Sequence, residues 1–148
     1  MKTFILILGT IVLITFASAA AQEVEIKKAP LKYENVATRD GGELYDNICA
    51  VCHGPGGRGD GPAAPALAKP VADLSMLSAN NDGAYPRDYV MDAISGKSRI
   101  IAHGTIDMPV WGEQLMALRP DWNSLRRDAF TRHRIESLTG HIESLQAQ

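Results

Sequence analysis

The sequence predicts an all-α fold: three to five helices joined by long loops and wrapped around something other than side chains. Three observations predict it. No stretch shows a persuasive two-residue alternation, apolar residues recur at helical spacing in three separate places, and six glycines and four prolines crowd the segment from Gly54 to Ala84. Short helices linked by so much irregular backbone bury little apolar surface against the entropy of ordering the loops. A further component must therefore fill the middle.

The chain has 148 residues, 45% of them hydrophobic, which suits one domain with a real core. Its first residues place one charge, Lys2, before an apolar block from Phe4 to Phe16, followed by Ala17, Ser18, Ala19, Ala20 and Ala21. That is the layout of a secretory signal peptide over residues 1–21, cleaved before Gln22. The alternative is an uncleaved membrane anchor, because no charge appears from Thr3 to Gln22. Both readings export the remainder: an N-terminal arm over 22–37 and a domain over 38–148. Cleavage removes Lys2 and leaves 14 basic and 17 acidic side chains, a net charge of -3. No basic face for nucleic acid results. The charges from Arg119 to Glu136, Arg134 among them, are mixed in sign and read as a solvated surface.

The first helix is read from about Gly41 to Cys52. Asp40 and Glu43 have capping-box spacing, and Leu44, Tyr45, Ile48 and Cys52 share a face. Residues 54–84 are irregular, yet hold Leu67, Val71, Leu74, Met76 and Leu77, too many apolar side chains for a free loop. Pro86 opens a second helix, with Tyr89, Val90, Ala93 and Ile94 as its buried stripe and Gly96 as its stop. A loop over 97–110 ends in DMPVW, and a short helix is expected from Gly112 to Leu118. Ile135, Leu138, Ile142 and Leu145 then mark an amphipathic C-terminal helix, which Leu125 and Phe130 extend upstream.

The two cysteines of the chain, Cys49 and Cys52, stand in the run CAVCH directly before His53. Four chemistries compete for such a pair. A structural zinc lacks suitably spaced further ligands. A redox dithiol lacks its strand and βαβ setting. A disulfide across so small a loop contributes little. Covalent haem remains, and C-x-x-C-H is its attachment signature: two thiols a helical turn apart can add to two vinyl groups of one porphyrin, while the next residue's imidazole binds iron. A second axial ligand is then expected on a late loop. Met91 and Met116 fall in helical stretches, and Met76 has no special setting. Met108, stiffened by Pro109 in the late irregular loop, is the expected ligand, with His103 its main rival.

These residues carry a resemblance. The chain resembles a class I c-type cytochrome of the small bacterial kind, over about residues 38–148. GGELYDNICAVCHGPGGRGDGPAAPAL at 41–67 is similar to the family's first helix, attachment site and following loop. HGTIDMPVWGE at 103–113 is similar to its methionine loop, and RIESLTGHIESLQ at 134–146 to its final helix. The resemblance implies Cys49 and Cys52 as thioether points for one haem c, with His53 and Met108 as axial iron ligands. It also implies a Pro65 carbonyl accepting from the imidazole, and Trp111 near the haem propionates or as an apolar plug. One departure stands out: Gly42 matches the glycine where first and last helices cross, but His141 occupies the place of Tyr or Phe.

Two axial ligands leave iron no open site, so the expected function is a periplasmic monohaem carrier of single electrons between redox partner proteins, and no enzyme. The alternatives are a haem-bearing subunit of a dehydrogenase or reductase complex, or a haem peroxidase or gas sensor with accessible iron. The charges nearest the site, among them Arg58, Lys69, Asp60 and Asp73, have no dominant sign and identify neither donor nor acceptor. A membrane is a partner only if the leader is uncleaved.

Overall fold

The computed structural model describes residues 32–97 and 110–147. Among the described residues there is no strand. Five α-helices carry the fold: α1 (Gly41–Ile48), α2 (Ala50–His53), α3 (Arg87–Ser95), α4 (Trp111–Ala117) and α5 (Ser124–Ser144). Single 3-10 turns at Tyr33–Val36, Ala64–Ala66, Leu74–Met76 and Ala79–Asn81 punctuate the rest. The fold is all-α, as expected, and no described helix is long and apolar enough to cross a membrane. Residues 1–21, read as a signal peptide, and the first part of the expected N-terminal arm lie outside the described residues.

The Asp40 carboxylate caps α1 by accepting the Glu43 N–H at 2.8 Å. The predicted first helix is interrupted once. Cys49, with φ -109°, departs from helical geometry, so that α1 ends at Ile48 and α2 restarts for one turn. Loop donors hold this restart: the N–H of Gly61 reaches Cys52 O at 3.1 Å and that of Ala63 reaches Val51 O at 2.9 Å. The orphan carbonyls of a four-residue helix are thus satisfied from outside it.

Helix α1 lies across α5, and α5 also packs with α3 and α4, which pack on each other. The crossing is close. A Cβ on Gly41 would run into the Ser137 backbone carbonyl, while Gly42 faces the His141 ring. His141 packs on Tyr45 with ring centroids 5.0 Å apart and planes tilted by 45°, so an imidazole fills the place of the usual aromatic side chain. The core joins Val36, Leu44, Tyr45, Ile48, Val90, Ile94, Trp111, Leu115, Phe130, Ile135, Leu138 and Ile142. Gly96 ends α3 in the left-handed conformation with its N–H on Asp92 O.

Two expectations are corrected. Tyr89, assigned to the buried stripe of α3, is 50% exposed, because the face packed on α4 and α5 is that of Val90, Ala93 and Ile94. Arg134, assigned to a solvated surface, is buried. Its Nε and an Nη donate to Val36 O and Ala37 O at 3.1 and 2.8 Å, and its guanidinium carbon lies 4.1 Å from the Phe130 ring centroid. The end of the N-terminal arm is therefore fastened to α5, with Tyr33 stacked on Phe130 and edge-on to Trp122.

Candidate functional site

The site is built where α1 meets α2. Leu44, Tyr45 and Ile48 bury one face of α1, which brings Cys49, at the kink, against the core. Cys52 and His53 follow on α2. Neither thiol is tied in a disulfide. Burial, with Cys52 adding to it, pushes the Cys49 thiol up to about 12. A catalytic dithiol instead needs a lowered value.

His53 is buried, and its Nδ1 lies 3.1 Å from the Ala72 carbonyl oxygen. A carbonyl only accepts, so Nδ1 is the protonated nitrogen in this contact and Nε2 carries the lone pair. A backbone acceptor on the far nitrogen is the arrangement that orients a metal-binding imidazole and raises its basicity. The donor set fits a covalent haem: two unbridged thiols and one oriented imidazole within five residues.

The loop after His53 folds back over the motif. Gly59 N–H donates to His53 O at 2.8 Å, and Leu74 N–H donates to Gly57 O at 2.6 Å, which returns residues 72–74 to the histidine. The approach is tight enough to require glycine. A Cβ on Gly61 would sit 2.6 Å from Ala50 O and Cys52 O. The Tyr45 hydroxyl closes the same corner by donating to Gly54 O at 2.8 Å. Burial raises the Tyr45 hydroxyl well above the usual tyrosine value, so it stays protonated.

The acceptor that the structure places at His53 Nδ1 is the Ala72 carbonyl, where the resemblance implied that of Pro65. Pro65 lies exposed on the Ala64–Ala66 turn, which follows the bond from Ala63 N–H to Val51 O. Nothing in the sequence singled out Ala72, because it acts through a backbone carbonyl that any residue type supplies. Trp111 is buried as the first residue of α4 and belongs to the core. Met76 is 37% exposed on its turn, while Met91 and Met116 are partly buried on helices. Met108 and His103 lie outside the described residues.

An all-α domain with this motif at the junction of its first two helices defines a class I c-type cytochrome. Its family can be stated more narrowly. Residues 36–118 match the family described as cytochrome c oxidase, cbb3-type, subunit III, and the chain belongs to that family. The match covers more than half of the chain and ends before α5, although α5 packs on α1. No curated protein and no solved structure matches the chain. Membership of a c-type cytochrome family implies a covalently bound haem c and haem-based electron transfer, in domains that typically hold the haem outside the cytoplasm.

Proposed function

We propose that this protein is an exported monohaem cytochrome that shuttles single electrons between redox partner proteins in the periplasm. The observation that carries the reading is the juxtaposition of two unbridged thiols, Cys49 and Cys52, with a buried, carbonyl-oriented His53 in a cytochrome c domain. Cys49 and Cys52 would hold one haem through thioethers, and His53 Nε2 and Met108 are the groups that would ligate its iron. When bound, the haem supplies a one-electron iron couple. The chain's residues do the rest. Ala72 orients the imidazole, Tyr45 ties down the loop after it through Gly54 O, and Trp111 packs into the core at the start of α4.

Three measurements test this. The intact mass of the protein from its host should show one haem and the loss of residues 1–21; a mass without haem overturns the assignment of Cys49 and Cys52. The ferrous protein should not bind carbon monoxide at neutral pH, because both axial positions are filled. Ready binding would favour a peroxidase or sensor. Met108→Ala should lower the potential and abolish the methionine-to-iron band, whereas a surviving band moves the ligand elsewhere.

The family's description as an oxidase subunit supports a second reading, in which the domain relays electrons as a subunit of a larger terminal complex. Copurification with a larger membrane chain under mild detergent would favour it over the free carrier.

A further inference from the structure

A cleft of about 750 Å³ opens between α3, α4 and α5, and none of its wall comes from the segment that carries Cys49, Cys52 and His53. Its volume falls within the roughly 300–1,000 Å³ common for small-molecule sites. Met91, Met116 and Ile135 supply apolar wall. Into the same wall α5 brings Arg127 and Thr131, one helical turn apart and thus on one face.

These two residues set the cleft apart. Arg127 Nε and Thr131 Oγ1 are fully buried, and neither has a hydrogen-bond partner. Thr131 itself is only 8% exposed. A threonine within a helix ordinarily satisfies its hydroxyl on the carbonyl one turn back, as Thr139 does on Ile135 O at 2.8 Å. Thr131 does not. A buried donor left unsatisfied carries the full desolvation cost of its group, more when it is charged, so two such groups on adjacent turns of one wall point to an acceptor supplied from outside the chain.

The charge distribution selects the acceptor. Asp92, Glu113 and Asp128 also border the cleft, with Lys97 and Arg132, but all five are exposed, where water and salt screen them. Arg127 is the one charged wall residue that is not exposed. The interior of the cleft therefore favours an anion, bound by a charge-assisted hydrogen bond and a hydroxyl, with an apolar body against the two methionines and Ile135. We propose that the cleft is a binding site for a small amphiphilic carboxylate. Its carboxylate engages Arg127 and Thr131, whose Nε and Oγ1 are closed off in the ligand-free chain and turn towards the cleft on binding, and its alkyl or aromatic body lies along Met91, Met116 and Ile135. This site is independent of the electron-carrier reading.

Isothermal titration of the haem-loaded protein with decanoate, phenylacetate and decanol tests the proposal. One or both carboxylates should bind at a single saturable site, and the tighter of the two tells an alkyl from an aromatic body. Decanol should bind at least tenfold more weakly than decanoate, or than phenylacetate if that is the tighter acid. Thr131→Val and Arg127→Met should each weaken carboxylate binding at least tenfold. A second readout does not depend on ligand: because Val is an isostere with no orphan hydroxyl, Thr131→Val should have a denaturation midpoint at or above that of the wild type. No binding by either acid, equal binding of the alcohol, indifference to both substitutions, or a lowered Thr131→Val midpoint would each overturn the proposal.

Discussion

Arg134 shows how one side chain can fix a terminus. Its guanidinium gives two hydrogen bonds to Val36 and Ala37 carbonyls and lies over Phe130, so it is anchored on three sides. Burial lowers its affinity for a proton below the usual arginine value, yet far too little to discharge it. Replacing it with methionine keeps the apolar stem and removes the donors. Val36 O and Ala37 O then lose charge-assisted partners worth about 1.5–3 kcal/mol each in favourable cases. Arg134→Met should lower stability by roughly 2–4 kcal/mol in denaturant titration, with the haem spectrum unchanged. An unchanged midpoint would mean the arm is held by Tyr33 and Val36 alone.

Among the elements, the crossing of α1 and α5 is the most constrained. Gly41 brings the start of α1 against the Ser137 carbonyl, with the His141 Cβ 3.2 Å from where a methyl would stand. Gly41→Ala should cost about 1–3 kcal/mol, since the obstacle is backbone and cannot rotate away. Gly140, inside α5, meets nothing within 4 Å of its missing Cβ. Gly140→Ala should therefore stabilise by about 0.5–1 kcal/mol, and the opposite signs of the pair make the comparison decisive. The same elements show what sequence can reveal. Helices α1, α3 and α5 were legible because their apolar residues repeat every three or four positions and their ends carry Asp40, Pro86 and Gly96. The kink at Cys49 was not, since it answers to loop hydrogen bonds from Gly61 and Ala63 that exist only once the chain has folded back. The site split in the same way. Cys49, Cys52 and His53 announce themselves by type and spacing, whereas Ala72 contributes a carbonyl with no signature and Arg134 resembles its solvated neighbours.

At the scale of the molecule, pH and cofactor both act through burial. Tyr45 and Tyr85 donate to Gly54 O and Thr139 O, and burial raises both above the ordinary tyrosine value of about 10. The folded state therefore holds these protons more tightly than the unfolded state. Their contribution is complete below about pH 10 and is lost as pH climbs from there towards the folded-state values. Denaturation midpoints should fall above about pH 10, and less steeply in Tyr45→Phe. A fall of equal slope in that variant would assign the alkaline limb to other groups.

The cofactor governs a larger share of the fold. Of the long segment from Gly54 to Ala84, Leu74 and Leu77 are partly buried against the side-chain core, while Met76 is exposed. So much ordered backbone gains little from side-chain burial, and each residue fixed costs on the order of 1–2 kcal/mol of entropy. Tertiary ties to this segment, such as Gln146 donating to Leu74 O and accepting from Ser78 N–H, are too few to offset that alone. A flat apolar group held by Cys49 and Cys52 would supply the missing surface. The Cys49→Ala/Cys52→Ala chain, made without haem, should therefore show no cooperative thermal transition, and its amides from 54 to 84 should exchange rapidly with solvent. A compact double variant that melts cooperatively would place the stabilising core in α1, α3, α4 and α5 alone, and would remove the haem from the folding of this protein.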